Sequence, residues 1–172
     1  PEEIQALGSI CRERGIKMHM DGARFANALV SVACTPAELT WKAGIDVMSL
    51  GATKCGALMA EAVLFFDKKL GEKFHYLRKR SGHLLSKGRF PGSQFVGWLE
   101  DGHWLALAGK ANQQASLLAE ELSRIPGIRL TWPVQANEIF LTMPRTIAEA
   151  LWQKGAEFYQ WPSHAVPIDC VV

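Results

Sequence analysis

The sequence predicts an α/β chain: the later part of an α/β sheet over residues 1–66, long helices after it, and a separate small α+β unit at the end. Three observations predict this. Short apolar runs at 16–20, 46–50 and 62–66 alternate with helical patterns, as strands and their connecting helices do. From Asp67 onward the pattern changes to helices alone. Beyond a Pro126-Gly127 break, strand patterns near 128–132, 138–142 and 156–160 accompany a helical pattern near 145–154.

The elements follow in order. Ile4, Leu7 and Ile10 recur at helical spacing over 2–14, and Gly15 suits the residue just past a helix end. Ile16–Met20 reads as a strand ended by Asp21-Gly22, and Ala23–Ser31 as a helix. Thr35-Pro36-Ala37-Glu38 is a capping box with proline at the first helical position, so a helix starts there and ends near Gly44. Asp46–Leu50 is a second strand, and Gly51-Ala52-Thr53-Lys54-Cys55-Gly56 a glycine-bounded loop. Ala62–Phe66 is apolar throughout, as in a sheet covered on both faces. Residues 67–80 read as a basic helix, 81–91 as irregular, and 93–124 as long helices with apolar positions at Ala111, Ala115, Leu118, Leu122 and Ile125.

Composition narrows the class. Of 172 residues, 48% are hydrophobic and 21% charged, which excludes disordered and low-complexity chains. A net charge of +2 gives no electrostatic footprint for nucleic acid or an anionic membrane, and no apolar run is long enough to span a bilayer. The basic positions Lys68, Lys69, Lys73, Arg78, Lys79, Arg80, Lys87 and Arg89 read as a solvated face, since Asp67 and Glu72 interrupt them and no aromatic stacking platform accompanies them. Cys11, Cys34, Cys55 and Cys170 lie far apart with no metal-ligand spacing, so neither a disulfide framework nor a metal site is expected, and a reducing cytoplasm fits. Trp98, Trp104, Trp132, Trp152 and Trp161 read as core or interface residues. The chain opens at Pro1 inside a helical pattern and closes on Cys170-Val171-Val172, so a fragment of a longer chain is expected.

Two residues carry the candidate chemistry. Taken alone, Asp21 reads as a helix cap and Lys54 as a solvated loop lysine. Taken together they follow two strand ends, and ligands of open α/β sheets collect beyond the carboxyl ends of the strands. An amine that loses its proton attacks carbonyls, and a carboxylate suits a pyridinium nitrogen. That pairing is the protein side of a pyridoxal-phosphate site. The loop at 51–56 is no P-loop, because Lys54 is followed by Cys55 and then an apolar strand.

His-Met-Asp-Gly-Ala-Arg-Phe-Ala-Asn-Ala (19–28) and Ser-Leu-Gly-Ala-Thr-Lys-Cys-Gly-Ala (49–57) resemble the threonine aldolase and β-eliminating lyase family, fold type I of the pyridoxal-phosphate enzymes. The resemblance continues through 60–66, 81–90 and 158–162 and covers nearly the whole chain. It implies an aminotransferase-like fold, with residues 1–110 part of the large pyridoxal 5'-phosphate-binding domain and 111–172 a truncated small α+β domain. It implies that Lys54 is the catalytic lysine, joined to the cofactor as a Schiff base, and that Asp21 partners the pyridine nitrogen. Arg24 matches an arginine near the cofactor's phenolic oxygen and the substrate carboxylate. Arg89 matches an arginine that reaches a cofactor phosphate, commonly in the neighbouring subunit; its rival reading is a solvated loop arginine. Thr53 is a further phosphate candidate, and His19 reads as a strand residue satisfied by packing or a backbone bond rather than as a base. The implied activity is cleavage of a β-hydroxy-α-amino acid such as threonine or allo-threonine to glycine and an aldehyde, by a cytoplasmic homodimer or homotetramer. β-Elimination, transamination and an inactive remnant or oligomerisation module remain open.

The chain departs from the family in three respects. Cys55 stands where asparagine is usual, no arginine follows Arg145 within these residues, and the family's earlier half-domain is not among them. Three strands leave sheet edges unpaired. Poor binding of the cofactor and little activity are therefore expected of this chain alone.

Overall fold

The computed structural model describes residues 1–160 and the strand Cys170–Val171. The chain divides into two compact units, Pro1–Gly109 and Lys110–Val172. In the first, helix α1 (Glu2–Glu13) carries Glu2 and Glu3 in its first turn and Arg12 in its last, each complementing the helix dipole. Strands β1 (His19–Gly22), β2 (Val47–Gly51) and β3 (Glu61–Phe65) form one sheet in that spatial order. β1 and β2 are parallel, with Asp21 opposite Ser49 and Gly22 opposite Leu50. β3 runs antiparallel to β2. Between β1 and β2 lie α2 (Phe25–Val32), α3 (Pro36–Leu39) and a 3₁₀ turn at Trp41–Ala43. The capping box forms as expected: the Thr35 N–H donates to Glu38 Oε2 at 2.8 Å, and the Glu38 N–H donates to Thr35 Oγ1 at 3.3 Å.

At the entry to the sheet, Asp46 joins β1 to β2. Its carboxylate accepts from the Met18 N–H at 2.9 Å and from Lys17 Nζ at 2.9 Å. Burial opposes its charge, but the Met18 N–H, the Lys17 ammonium and Arg12 outweigh burial and hold the carboxyl below its usual range. The core of this unit gathers Phe25, Leu29, Leu39, Ile45, Met48, Leu50 and Trp98.

After β3 come α4 (Lys68–Gly71) and α5 (Phe74–Arg80), whose basic residues are exposed as a solvated face should be. Next are α6 (Arg89–Leu99) and α7 (His103–Ser123), within which the boundary between the two units falls. The second unit pairs β4 (Arg129–Leu130), β5 (Leu141–Pro144) and β6 (Cys170–Val171) in an antiparallel sheet, with α8 (Arg145–Gln153) following β5. Its core is Ile128, Met143 and Ala148, packed by Leu122, Leu141, Ile147, Leu151 and Phe158.

Three expectations are corrected. The Asp21-Gly22 pair does not stop β1; the parallel ladder runs through both residues and begins at His19 rather than Ile16. The long helices expected over 93–124 do form, as α6 and α7, parted where Asp101 (φ 50°) and Gly102 (φ 72°) adopt left-handed backbone. β3 is not covered on both faces: Val63 and Leu64 are exposed, because β3 is an antiparallel edge strand with no further strand beside it among the described residues. No strand forms at 156–160. There the chain turns at Gly155 (φ 87°), and Phe158 stacks on Trp152 of α8, with ring centroids 5.2 Å apart, instead of joining a ladder. Of the tryptophans expected in core or interface, Trp98 is buried and Trp132 more than half exposed. Trp161 and the matches at 161–162 lie outside the described residues.

Candidate active site

The parallel pairing of β1 and β2 brings Asp21 and the 51–56 loop to the same end of the sheet. Glycines permit the close approach. A Cβ on Gly22 would sit 2.5 Å from the Ser49 carbonyl oxygen, so only glycine lets β1 lie this near β2. A Cβ on Gly51 would lie 3.3 Å from Ala23 Cα, which places the turn after Asp21 directly against the start of the Lys54 turn.

Asp21 is exposed and does not cap α2. Its Oδ1 accepts from the Ala23 N–H at 3.0 Å, an Asx-type turn, while the cap position of α2 is Arg24. Arg24 is half-buried, immediately before the buried Phe25. Lys54 is exposed within a 3₁₀ turn, Thr53–Cys55, and its amine makes no hydrogen bond or ion pair with the described residues.

That turn is tightly held. The Ala52 N–H donates to the Ala60 carbonyl at 2.9 Å, and the Cys55 and Ala57 N–H groups donate to the Ala52 carbonyl at 2.9 and 3.2 Å. Gly56 closes it with φ 103°, a conformation other residues adopt only under strain. Cys55 is buried and points inward, and burial pushes its thiol pKa up. Its Sγ donates to the Trp104 carbonyl at 3.5 Å, and its carbonyl accepts from the Trp98 indole N–H at 2.7 Å. The Thr53 hydroxyl donates to Glu61 Oε1 at 2.9 Å, so a carboxylate already engages the group expected near a phosphate.

The structure therefore brings the segments of Asp21, Arg24 and Lys54 to one sheet end. Arg89 is not drawn in. It is exposed at the start of α6, its guanidinium 4.8 Å from the Phe90 ring centroid. His19 is exposed in β1, not satisfied by packing. Sequence reasoning missed Glu61 and Trp98, which reach the turn from a neighbouring strand and a distant helix. A groove of about 420 Å³ lies at the opposite end of the sheet, lined by Gly8, Arg12, Lys17, Trp41, Asp46 and Phe66. Lys17 there is paired with Asp46 and Asp67. The described residues hold no cluster of three or more His, Cys, Asp or Glu suited to a metal, and no helix among them is long and apolar enough to cross a membrane.

Comparison with known proteins bears on the family and the fold. The model of the family described as beta-eliminating lyase matches residues 1–145. A low specificity L-threonine aldolase from a Pseudomonas species is 52% identical over 159 residues, covering 92% of this chain and 46% of that protein. A protein of the same description from Pseudomonas aeruginosa is 47% identical over the same proportions. The solved structure of Leishmania major threonine aldolase superposes with a TM-score of 0.85 at 28% identity, covering 99% of this chain and 48% of that one. The chain thus spans about half the length of the curated relatives it matches. The architecture is that of fold type I, and the chain belongs to the beta-eliminating lyase family.

Proposed function

We propose that this chain supplies the cofactor-anchoring residues of a pyridoxal-phosphate-dependent aldolase. The substrate class is a β-hydroxy-α-amino acid such as threonine, cleaved to glycine and an aldehyde. The observation that carries the reading is the parallel pairing of β1 with β2, which sets Asp21 and the Lys54 turn at one sheet end. The donor set fits the group: a primary amine without a protein partner among the described residues, a carboxylate with one oxygen committed to the Ala23 N–H, and a half-buried guanidinium two residues after Gly22.

When bound, pyridoxal phosphate supplies an aldehyde and an electron-withdrawing ring. Lys54, once its amine has lost its proton, is the nucleophile toward that carbonyl and later carries protons. Asp21 holds a proton on the ring nitrogen, the largest electrostatic contribution of the protein. Arg24 binds oxygens, its planar fork matching a carboxylate. Arg89, solvated at the start of α6, reaches a phosphate in the neighbouring subunit of a homodimer or homotetramer. Residues 1–110 belong to the large domain and 111–172 to the small one, and the protein works in the cytoplasm. The 52% identity to a low specificity L-threonine aldolase favours aldol cleavage over β-elimination or transamination.

The test is an absorbance spectrum of the chain titrated with pyridoxal phosphate. A band in the region of ~410–430 nm, lost in Lys54→Ala and weakened in Asp21→Asn, is the expected result for a lysine-bound cofactor. A band that survives Lys54→Ala would overturn the assignment. In a chain restored to the length of its relatives, threonine should then give glycine and acetaldehyde; an α-keto acid instead would favour the rival reactions.

A further inference from the structure

The Lys54 turn poses a local problem that its own backbone does not solve. The Cys55 and Ala57 N–H groups both use the Ala52 carbonyl. The Cys55 carbonyl lies in a buried residue, where an unmatched acceptor is costly. Its partner comes from α6: the Trp98 indole N–H, 2.7 Å away and 43 residues distant in sequence. Trp98 is only 4% exposed, and its ring packs on Trp104 (5.2 Å between centroids) and Phe95 (5.8 Å). Trp104 in turn stacks on Phe25 (6.3 Å), the residue after Arg24. A row of rings therefore runs from the helix that follows Asp21 to the turn that carries Lys54. The other side-chain bonds on the turn leave the Cys55 carbonyl unmet: Thr53 to Glu61 is solvent-exposed, where water competes, the Ala60 N–H donates to Thr53 Oγ1 at 3.3 Å, and the Cys55 thiol donates only weakly to the Trp104 carbonyl at 3.5 Å.

We propose that Trp98 is a positioning residue for Lys54: its indole N–H, by holding the Cys55 carbonyl, fixes the turn from which the Lys54 amine extends toward the cofactor. The proposal rests on the reading of Lys54 as the cofactor-binding amine. Packing alone is not the device. A phenylalanine at 98 would keep much of the apolar contact yet leave the carbonyl without a donor. β-(3-Benzothienyl)alanine, in which sulfur replaces the N–H, would keep the volume as well.

The experiment uses the full chain with three residues at position 98: tryptophan, phenylalanine (Trp98→Phe) and the benzothienyl isostere. Two readouts are taken. Hydrogen exchange is followed at the Cys55 and Ala57 amides, with the β2 amides as internal reference. Pyridoxal phosphate is then trapped on lysines with borohydride and the adducts are mapped by peptide mass. Both replacements should speed exchange at Cys55 and Ala57 by about tenfold while β2 is unchanged. Both should also cut the Lys54 share of the adduct, relative to Lys68 and Lys69, by about tenfold, as misplacement of a reacting group does. A Lys54 adduct that is indifferent to both replacements would overturn the role of Trp98 alone. Exchange that rises equally through β2 in the isostere would also overturn it, reducing Trp98 to a core residue. No preferential adduct at Lys54 in the unsubstituted chain would overturn the reading of Lys54 itself, and the Trp98 role with it.

Discussion

Gly8 offers a substitution whose sign is decided by one contact. It lies inside α1, where glycine costs about 1 kcal/mol relative to alanine, so Gly8→Ala ought to stabilise on propensity alone. The structure argues the opposite. A Cβ at Gly8 would overlap the Ala43 carbonyl oxygen and come within 3.2 Å of Gly44 Cα. Both obstacles are backbone and cannot rotate away, and Gly44 is itself held at φ 103° in the turn that leads into β2. Overpacking of this kind costs about 1–3 kcal/mol, and a backbone obstacle belongs at the upper end. Subtracting the propensity gain leaves a destabilisation of about 2 kcal/mol. With a urea m-value of about 2 kcal/mol/M, the unfolding midpoint should fall by about 1 M, read by circular dichroism. Gly97→Ala is the control. It lies in α6 with nothing within 4 Å of an added Cβ, so it should gain up to about 1 kcal/mol and raise the midpoint by about 0.5 M. If Gly8→Ala raised the midpoint as Gly97→Ala does, α1 would not pack on the Trp41–Ala43 turn as described.

Three further outcomes are expected. Thr35→Ala removes the capping box of α3 and should cost about 1 kcal/mol in denaturant unfolding. Asp46→Asn should destabilise by about 1 kcal/mol at neutral pH. Because the Asp46 carboxyl is held below its usual range in the folded chain, its contribution is complete above that range and lost as pH falls through the folded value. The stabilities of the unsubstituted chain and the variant should therefore converge in acid, and a gap that stays constant down to low pH would refute the linkage. Gly56→Ala combines φ 103° with a Cβ 2.7 Å from Leu107 Cδ1. It should loosen the Lys54 turn, seen as faster amide exchange at Cys55 and Ala57.

Local signals were read well where the physics is local. Thr35, Pro36 and Glu38 announce a helix start, and the structure has one there. Gly44 and Gly127 mark turns and adopt positive φ. Signals failed where a non-local ladder or a packing contact overrode them. Asp21-Gly22 reads as a turn, but pairing with Ser49 and Leu50 carries β1 through it. The direction of β3 is not encoded in its apolar run, since periodicity reports faces and not polarity of the chain. Asp101-Gly102 carried a readable turn signal that the strong helical pattern on either side masked. At the candidate site, Asp21, Arg24 and Lys54 are legible because each stands at or just beyond the end of a strand in a recognisable motif. Glu61 and Trp98 are not, since nothing near either in sequence announces a contact with the Lys54 turn.

The central claim is that Lys54 is the amine that takes the cofactor. It is tested most directly by incubating the chain with pyridoxal phosphate, reducing with borohydride and mapping every modified lysine. Lys54 should dominate over the exposed Lys68, Lys69, Lys73 and Lys79, and blocking it as Lys54→Ala should leave only the weak, even labelling of the others. Labelling spread evenly over all of them, with no preference for Lys54, would contradict the account.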